Sequence, residues 1–219
     1  INQRFFDNEG LSSSHYTKEL ILKIDSINPN VIHLHNIHDH WLNYSILFAY
    51  LAQKNIPIVW TQHDCWAFTG GCMYFDMLGC NNWIDGCHNC QDKRSIIFNQ
   101  SVRNFNFKQN ALAEIKNLTF VPVSDWLTKL MRKSVQKQRS IVTIHNGIDL
   151  EVFKPILKKD PKENKFRIIG VAAVWDARKG LDDFIRLGSL LPSDFEITLV
   201  GLDEQQIKRL PQGIIGITK

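Results

Sequence analysis

Apolar positions along the chain follow two alternating patterns: short, nearly continuous runs and longer stretches with helical spacing. The first is typical of buried strands and the second of amphipathic helices. In the first part of the chain they predict a helix, a strand, a helix and a strand at about 15–28, 31–35, 41–54 and 56–61. A strand, a helix and a strand in this order indicate a parallel sheet that is covered by helices on both faces.

Residues 63–94 show no clear periodicity, and this loop holds all five cysteines. A loop of this length within a compact domain is usually functional or held by something other than a core. The pattern after it predicts a helix to about 115, a strand at 118–123, a short helix opened by Ser124 and Asp125, a strand at 140–145 and a turn at Asn146-Gly147.

A polar, proline-containing segment at 151–165 is the best candidate for a linker. The alternating pattern restarts after it, with strands at 166–173, 197–200 and 214–217 and a helix at 179–191. We therefore predict an α/β fold with two Rossmann-like units, 1–150 and 166–219. A sheet with as few strands as the second unit offers cannot bury both faces well, so we expect the chain to be a fragment of a longer polypeptide.

Composition adds only broad limits. With 219 residues, 44% of them hydrophobic and 22% charged, the chain is expected to form one or two folded domains, and disorder and coiled coil are excluded. The net charge of +4 and the pI of about 8.8 suit an anionic ligand but do not indicate a nucleic-acid-binding protein. No apolar run approaches the ~18 residues that would span a bilayer.

The cysteines offer a metal site. Cys87 and Cys90 are separated by two residues, a spacing with which two thiolates bind one tetrahedral ion. Cys72 and Cys80 would complete a structural zinc site that holds the loop together. Their wider spacing is also compatible with free or redox-active thiols and with disulfides. Cys65 lies outside this set.

Histidines stand at the carboxyl ends of two neighbouring predicted strands, His35 after the first and His63 after the second. Ligands of open α/β sheets bind at this edge. Together with Asp39 and Asp64 they would form a polar cluster that binds or activates a hydroxyl group. The alternative is a buried His63 with Asp64 as a helix cap.

Tryptophans are concentrated in the same region, at Trp60, Trp66 and Trp83. Aromatic side chains placed there line a binding pocket in some proteins and fill the core in others. The sequence leaves both interpretations open, with Trp66 two positions after Asp64 at the second strand end.

Two motifs in the later part of the chain suit an anionic ligand. Arg178 and Lys179 lie between a predicted strand and a predicted helix, where cations and free backbone N–H groups bind phosphate. Asn146 and Gly147 follow a strand next to the linker. The chain contains no Gly-x-Gly-x-x-Gly and no Walker sequence, which disfavours a nicotinamide enzyme, an ATPase and an epimerase.

Four segments together resemble family 4 of the glycosyltransferases, in particular the branch with bacterial colanic acid and capsular polysaccharide enzymes. They are the His63–Cys72 block, Gly86–Cys90, Asn146–Asp149 and Val174–Gly180. The resemblance covers almost the whole chain. The His-Asp-Cys-Trp block is typical of that branch, whereas the Asn-Gly-Ile-Asp and Lys-Gly motifs are shared more widely.

The resemblance implies a GT-B fold, in which two Rossmann-like lobes hold the acceptor and the nucleotide-sugar donor. It implies a retaining reaction that needs no metal for catalysis. Lys179, with Arg178, would contact the donor diphosphate near Asn146 and Gly147. By the same resemblance, His63 lies beside the reacting sugar. The acceptor-side residues implied are His35, Asn36, Asp64 and Trp66.

The chain departs from the family pattern in three places. Ala173 and Val174 stand where the family usually has Gly-Arg, and Arg178 would have to compensate. The family's glycine-rich loop near its N-terminus and its pair of donor-binding glutamates are missing from this sequence. We therefore expect a first lobe without its N-terminal part, a truncated second lobe, and no full activity in this chain alone.

The leading hypothesis is a retaining glycosyltransferase that moves a sugar from a UDP- or GDP-sugar to a saccharide or lipid-linked acceptor in bacterial exopolysaccharide or capsule synthesis. Such a protein would be cytoplasmic, at the inner face of the membrane, with peripheral membrane contact and no nucleic-acid partner. The alternative is a non-catalytic, zinc-stabilised module that binds nucleic acid or protein; nucleotide-sugar binding separates the two.

Overall fold

The structure is a computed structural model that describes residues 5–8, 10–39, 41–88, 90–91, 97–155 and 165–218. The chain forms two compact units, Ile1–Ile148 and Asp149–Lys219, here called unit 1 and unit 2. Each is an α/β unit with a parallel sheet, which confirms the predicted fold class. Within the described residues, no helix has the length and apolar character needed to cross a membrane.

Unit 1 has a four-stranded parallel sheet in the order β1-β2-β3-β4. Its strands are β1 (Ile32–Leu34), β2 (Ile58–Gln62), β3 (Leu118–Pro122) and β4 (Ser140–Ile141), and its helices are α1 (Ser14–Ile27), α2 (Tyr44–Ala52), α3 (Ser101–Ala113) and α4 (Asp125–Met131). Pairing of Leu34 with Trp60 and of Trp60 with Phe120 aligns the carboxyl ends of the first three strands at one edge. That edge therefore receives His35 and His63.

The core of unit 1 is rich in aromatic residues. Trp60 on β2 packs between Phe48 of α2 and Phe120 of β3, with ring centroids 5.7 and 5.6 Å away. Trp66 adds a ring 6.3 Å from Trp60, and Tyr44 packs edge-on against Trp66 at 5.3 Å. Since Trp60 and Trp66 are 3% and 2% exposed, they fill the core rather than line an open pocket.

The residues before α1 fold back onto α3. The Asp7 carboxylate accepts a hydrogen bond from the Gln100 backbone N–H at 2.9 Å, and its carbonyl accepts one from the Asn104 side chain at 2.7 Å. Asp7 is 1% exposed and has a φ of 51°, in the left-handed region. These hydrogen bonds thus connect the start of α3 to a segment distant in sequence, since Asp7 and Gln100 are 93 positions apart.

The cysteine-rich loop contains three short 3₁₀ turns, at Trp66–Phe68, Asp76–Leu78 and Asn82–Ile84. Phe75 stacks on Trp83 with a centroid distance of 4.8 Å, and Phe68 packs edge-on against both. The loop thus has its own small aromatic core. Residue 89 and residues 92–94 of the predicted loop lie outside the described residues.

Unit 2 has a three-stranded parallel sheet in the order β5-β6-β7. The strands are β5 (Phe166–Val171), β6 (Phe195–Leu202) and β7 (Ile214–Thr218), and the helices are α5 (Leu181–Leu190) and α6 (Glu204–Lys208). Apolar residues of both helices pack on one face, against Ile197 and Leu199. The other face exposes four side chains: Ile169, Val171, Ile215 and Ile217. We call this the open face.

Several predicted boundaries shift for local reasons. Helix α2 begins at Tyr44 rather than Trp41, because the Asn43 side chain accepts a hydrogen bond from the Ile46 N–H and caps the helix there. The strand predicted at 140–145 is only two residues long. The helix predicted from Lys179 is divided by Gly180, whose φ of 74° separates a 3₁₀ turn from α5. Residues 156–164 of the predicted linker lie outside the described residues.

Candidate functional site

Three histidines form an exposed row at the carboxyl ends of β1 and β2. His35 Nδ1 lies 3.0 Å from His63 Nε2, a hydrogen bond between the two strand ends, and the rings are stacked at 5.3 Å. His33, 4.4 Å from His35 between ring centroids, hydrogen-bonds the Thr61 hydroxyl at 2.8 Å. The structure therefore brings together the two strand-end histidines that the sequence indicates.

The surroundings of His35 favour its neutral form. Loss of solvation lowers the pKa of His35, and the neighbouring His33 and His63 lower it further. The His35 carbonyl accepts a hydrogen bond from the Trp60 indole N–H at 2.7 Å, which fixes the backbone at this point. A neutral His35 imidazole can both donate to and accept from hydroxyl groups, and its hydrogen bond to His63 orients the ring.

A buried pair lies beneath this row. His38 Nε2 hydrogen-bonds the Asp64 carboxylate at 2.8 Å, and both side chains are 8% exposed. His38 Nδ1 lies 3.3 Å from a carboxylate oxygen of Asp39. Burial by itself lowers the pKa of His38, but its hydrogen bonds to Asp64 and Asp39 and their charges outweigh burial and raise it. His38 therefore carries a positive charge over a wider pH range than a free histidine.

The backbone that follows His63 is held from two sides. The other Asp64 oxygen accepts a hydrogen bond from the Trp66 N–H at 2.9 Å. The Lys108 ammonium of α3 donates to the Trp66 carbonyl at 2.6 Å and lies 3.5 Å from the centroid of its ring. Lys108 is 1% exposed, and no sequence motif marks it. This network fixes the position of His63 through the chain that follows it.

The acceptor-side residues that the resemblance implies therefore lie at two depths. His35, Asn36 and His63 are exposed at the strand ends, where a ligand can reach them. Asp64 and Trp66 are buried, so the structure gives them a supporting place behind the exposed row.

In unit 2 a cavity of about 470 Å³ opens at the carboxyl ends of all three strands. It is lined by residues that follow β5, end β6 or begin α6, and by the end of β7: Ala173, Val174, Trp175, Gly201, Leu202, Asp203, Glu204, Gln206 and Thr218. The sequence analysis did not select these residues. The sequence feature that could have identified them is an apolar strand that ends in glycine and is followed by a capping box of Asp203 and Gln206.

Gly201 is essential to the shape of this cavity. It has a φ of 93°, and a Cβ at this position would lie 1.9 Å from the Ala172 carbonyl oxygen. The Trp175 indole N–H donates to the Val200 carbonyl at 3.0 Å, and the Gln206 amide donates to the Trp175 carbonyl at 2.9 Å. The wall of the cavity is thus built from backbone contacts that leave no room for a side chain at Gly201.

The predicted phosphate-binding residues lie beside this cavity's strand-end loop, not among its lining residues. Arg178 and Lys179 belong to the exposed 3₁₀ turn Ala177–Lys179, in which the Asp176 side chain accepts a hydrogen bond from the Lys179 N–H. Gly180 then leads into the N-terminus of α5. Both cations are exposed at the amino end of a ten-residue helix, the position expected for a phosphate contact.

Asn146 and Gly147, the other predicted donor-binding residues, lie in an exposed stretch at the end of unit 1. The expected tight turn is not formed there; the first turn positions after β4 begin at Leu150. The Asp149 side chain instead accepts hydrogen bonds from the Glu151 and Val152 N–H groups.

No disulfide joins the five cysteines, all of which the structure describes. Cys72, Cys80, Cys87 and Cys90 line one apolar cavity, and Cys65 is buried elsewhere in the core. Burial raises the pKa of Cys65 to about 12. Among the described residues, no three His, Cys, Asp or Glu side chains are already arranged as a metal site. The zinc site stays a prediction.

Comparison with known proteins places this geometry in a family. The model of the family described as Glycosyltransferase Family 4 matches residues 3–152. A 67-residue segment is 39% identical to a protein of Escherichia coli (strain K12) named as the colanic acid biosynthesis glycosyl transferase WcaC. That match covers 28% of this chain and 16% of the relative's length.

Proposed function

Because the chain belongs to Glycosyltransferase Family 4, we propose that it is part of a retaining glycosyltransferase that moves a sugar from a UDP- or GDP-sugar to a saccharide acceptor. The observation that supports this most directly is the hydrogen-bonded pair of His35 and His63 at adjacent strand ends. Parallel α/β sheets bind their ligands at this edge. Two exposed imidazoles suit the recognition of sugar hydroxyl groups.

In this proposal His63 contacts the reacting sugar. The buried network of Asp64, Trp66 and Lys108 holds the chain that follows it, so the imidazole is positioned before substrate arrives. Preorganised hydrogen-bonding groups stabilise developing charge without having to reorient during the reaction. His35 and Asn36 bind the acceptor from the neighbouring strand end.

Unit 2 is assigned the donor. The transition state of sugar transfer develops negative charge on the departing diphosphate, and Arg178 and Lys179 at the start of α5 would offset that charge. Asn146 and Gly147 are assigned to the donor as well. Carboxylates in the strand-end cavity, Asp203 and Glu204, suit hydrogen bonding to ribose or sugar hydroxyls.

The chemical step is attack on the same face of the sugar from which the diphosphate departs. The acceptor oxygen forms a bond to the anomeric carbon, the bond from that carbon to the diphosphate oxygen breaks, and the donor phosphate takes the acceptor proton. Catalysis in this scheme uses no metal ion. A trapped covalent glycosyl–enzyme adduct would contradict it.

The relative's name concerns colanic acid biosynthesis, which supports a role in bacterial exopolysaccharide or capsule synthesis. A lipid-linked saccharide acceptor would place the protein in the cytoplasm at the inner face of the membrane, with a peripheral contact to anionic lipid. The net charge of +4 suits such a contact.

Donor binding is the first test. The protein expressed from its complete gene is titrated calorimetrically with UDP, GDP and their sugar conjugates, alongside its Lys179→Ala and Arg178→Ala variants. Each substitution is expected to weaken nucleotide binding about tenfold, the cost of one charge-assisted contact. Arg186→Ala, an exposed arginine further along α5, is the matched control and should bind as the unchanged chain does. Absence of binding by any of these nucleotides would favour a non-catalytic module.

The role of His63 is tested in the protein expressed from its complete gene. His63→Ala is expected to lower kcat by about 10²–10³-fold with a smaller change in the donor KM. His15→Ala, which removes an exposed histidine on α1, is the control. Equal activity of His63→Ala and the control would remove His63 from the mechanism.

A further inference from the structure

The cysteine-rich loop brings four of its thiols to a single small cavity. Cys72, Cys80, Cys87 and Cys90 all border it, and its volume is about 20 Å³, which is room for one water-sized sphere. The remaining lining is largely apolar, with Phe75, Leu78 and Trp83 among it. Four thiols around a space of this size match the donor set and the scale of a single tetrahedral ion.

We propose that these four cysteines bind one structural Zn²⁺ ion, and that the ion, rather than the aromatic packing alone, fixes the loop that follows His63. Zinc in structural sites takes four tetrahedral ligands, and four thiolates are a common set. The described residues show no three-ligand arrangement already formed. The proposal therefore requires the other three sulfurs to move in around Cys87 when zinc binds.

The Cys87 sulfur already accepts one backbone hydrogen bond of the kind that metal-bound thiolates accept. The Gly70 backbone N–H donates to this sulfur at 3.0 Å, and the Ser101 hydroxyl donates to the Cys87 carbonyl at 3.0 Å. Hydrogen bonds from backbone N–H groups to sulfur orient a thiolate ligand and stabilise its charge.

The placement of Gly70 is not adjustable. A Cβ at this position would lie 2.4 Å from the Ser101 carbonyl oxygen, so only glycine fits between Ser101 and Cys87. Gly70 is therefore packed tightly against the start of α3, and its N–H is held in place to donate to the Cys87 sulfur.

Charge also favours the proposal. Zinc with four thiolates carries two negative charges in excess, which is costly in a buried place unless a cation is near. Burial raises the pKa of the Cys87 thiol, and the ammonium of the buried Lys108 acts in the opposite direction. The same ammonium donates to the Trp66 carbonyl, so it would connect the zinc centre to the backbone after His63.

The binding step balances as four thiols and one Zn²⁺ ion giving one zinc tetrathiolate and four protons released to the buffer. No oxidant takes part. The competing arrangement, in which the same thiols pair as disulfides, requires loss of electrons to an oxidant and leaves no zinc.

The test is metal analysis of the 219-residue chain purified with a reductant and without added metal. We expect one zinc per chain, four thiols protected from a thiol reagent until a chelator is added, and thiolate-to-metal absorption after replacement of zinc by Co²⁺. Cys80→Ser and Cys90→Ser should each lower zinc affinity by at least 100-fold. Cys65→Ser is the matched control, since Cys65 lies outside the cavity, and should keep one zinc.

A second variant keeps the proposal testable if the cysteine substitutions prevent folding. Lys108→Met keeps a long unbranched side chain, one atom shorter than that of lysine, and removes its charge. In protein that circular dichroism shows to be folded, it should weaken Co²⁺ binding by about tenfold or more. A reduced, folded chain with no bound metal and five reactive thiols would overturn the proposal. So would four thiols that react only after reduction, which would show disulfides.

Discussion

The two units have similar parallel sheets, but they differ in their content of histidine and cysteine and in how far their sheets are buried. All eight histidines and all five cysteines precede residue 149, so unit 2 contains neither. Unit 1 buries β2 and β3 on both sides, whereas in unit 2 the open face exposes Ile169 and Val171 to 68% and 71%. Effects of pH and of metal ions on stability are therefore expected in unit 1, and effects of an exposed apolar surface are expected in unit 2.

A parallel sheet normally buries both faces because crossover helices lie on each side. In the described part of unit 2, α5 and α6 pack on one face only. The contrast shows that an apolar strand sequence does not by itself reveal whether one face of the strand is buried or both. Ile169 and Ile197 read alike in sequence, yet Ile197 is 2% exposed.

The largest expected effect compares the two sheets directly. Phe120→Ala removes a fully buried ring from β3 and should lower the free energy of unfolding by about 3–5 kcal/mol. Ile169→Ala on the open face should cost under about 1 kcal/mol. Urea unfolding monitored by circular dichroism measures both. Comparable losses would show that the open face is covered in solution.

A second comparison lies within unit 2. Gly201→Ala should destabilise the unit by about 3 kcal/mol, because it adds a clash with the Ala172 carbonyl to the strain of a positive φ. Gly213→Ala is the matched control, since Gly213 has a φ of 96° but nothing near its Cβ position. It should cost only about 1 kcal/mol. Equal effects would mean that the Ala172 carbonyl moves freely.

The third prediction concerns pH and unit 1 alone. The folded-state pKa of His38 lies above its ordinary value of 6.5, so the folded chain binds this proton more tightly than the unfolded chain. The resulting stabilisation is complete below about pH 6.5 and is lost as pH rises through the folded-state pKa. Chemical unfolding of unit 1 at a series of pH values checks this. In His38→Gln this part of the pH dependence should disappear, whereas His15→Gln should retain it.

The smallest effect on stability is expected from the open face itself. Ile169→Thr combined with Ile217→Thr should change the unfolding free energy by about 0.5 kcal/mol or less and reduce self-association of the chain. Sedimentation velocity over a range of protein concentrations measures the association. If the double variant associates as strongly as the unchanged chain, the open face is not the surface responsible.

Much of this fold follows from local patterns. Helix α1 and strand β3 lie close to their predicted ranges, and Ser124 caps α4 through its hydroxyl as its residue type indicates. The five-residue helix α6 was missed because it is too short to show a hydrophobic period. The division at Gly180 depends on a left-handed backbone that periodicity does not reveal.

The site was predictable only where chemistry and strand ends coincide. His35 and His63 could be placed because parallel strands align their carboxyl ends. Lys108 could not, since a lysine within a helix normally points to solvent and its burial depends on Trp66, 42 residues away. The burial of Asp64 likewise depends on His38, a residue of another loop.

The contact between Asp7 and the start of α3 has a kinetic consequence. Asp7 cannot reach its place until the residues up to Gln100 have been made and have brought α3 into position. Closing a loop of that size costs about 4 kcal/mol of chain entropy beyond a constant term. The N-terminal segment should therefore dock late in folding, after the sheet of unit 1, and should be the first part of that unit to exchange its amide hydrogens.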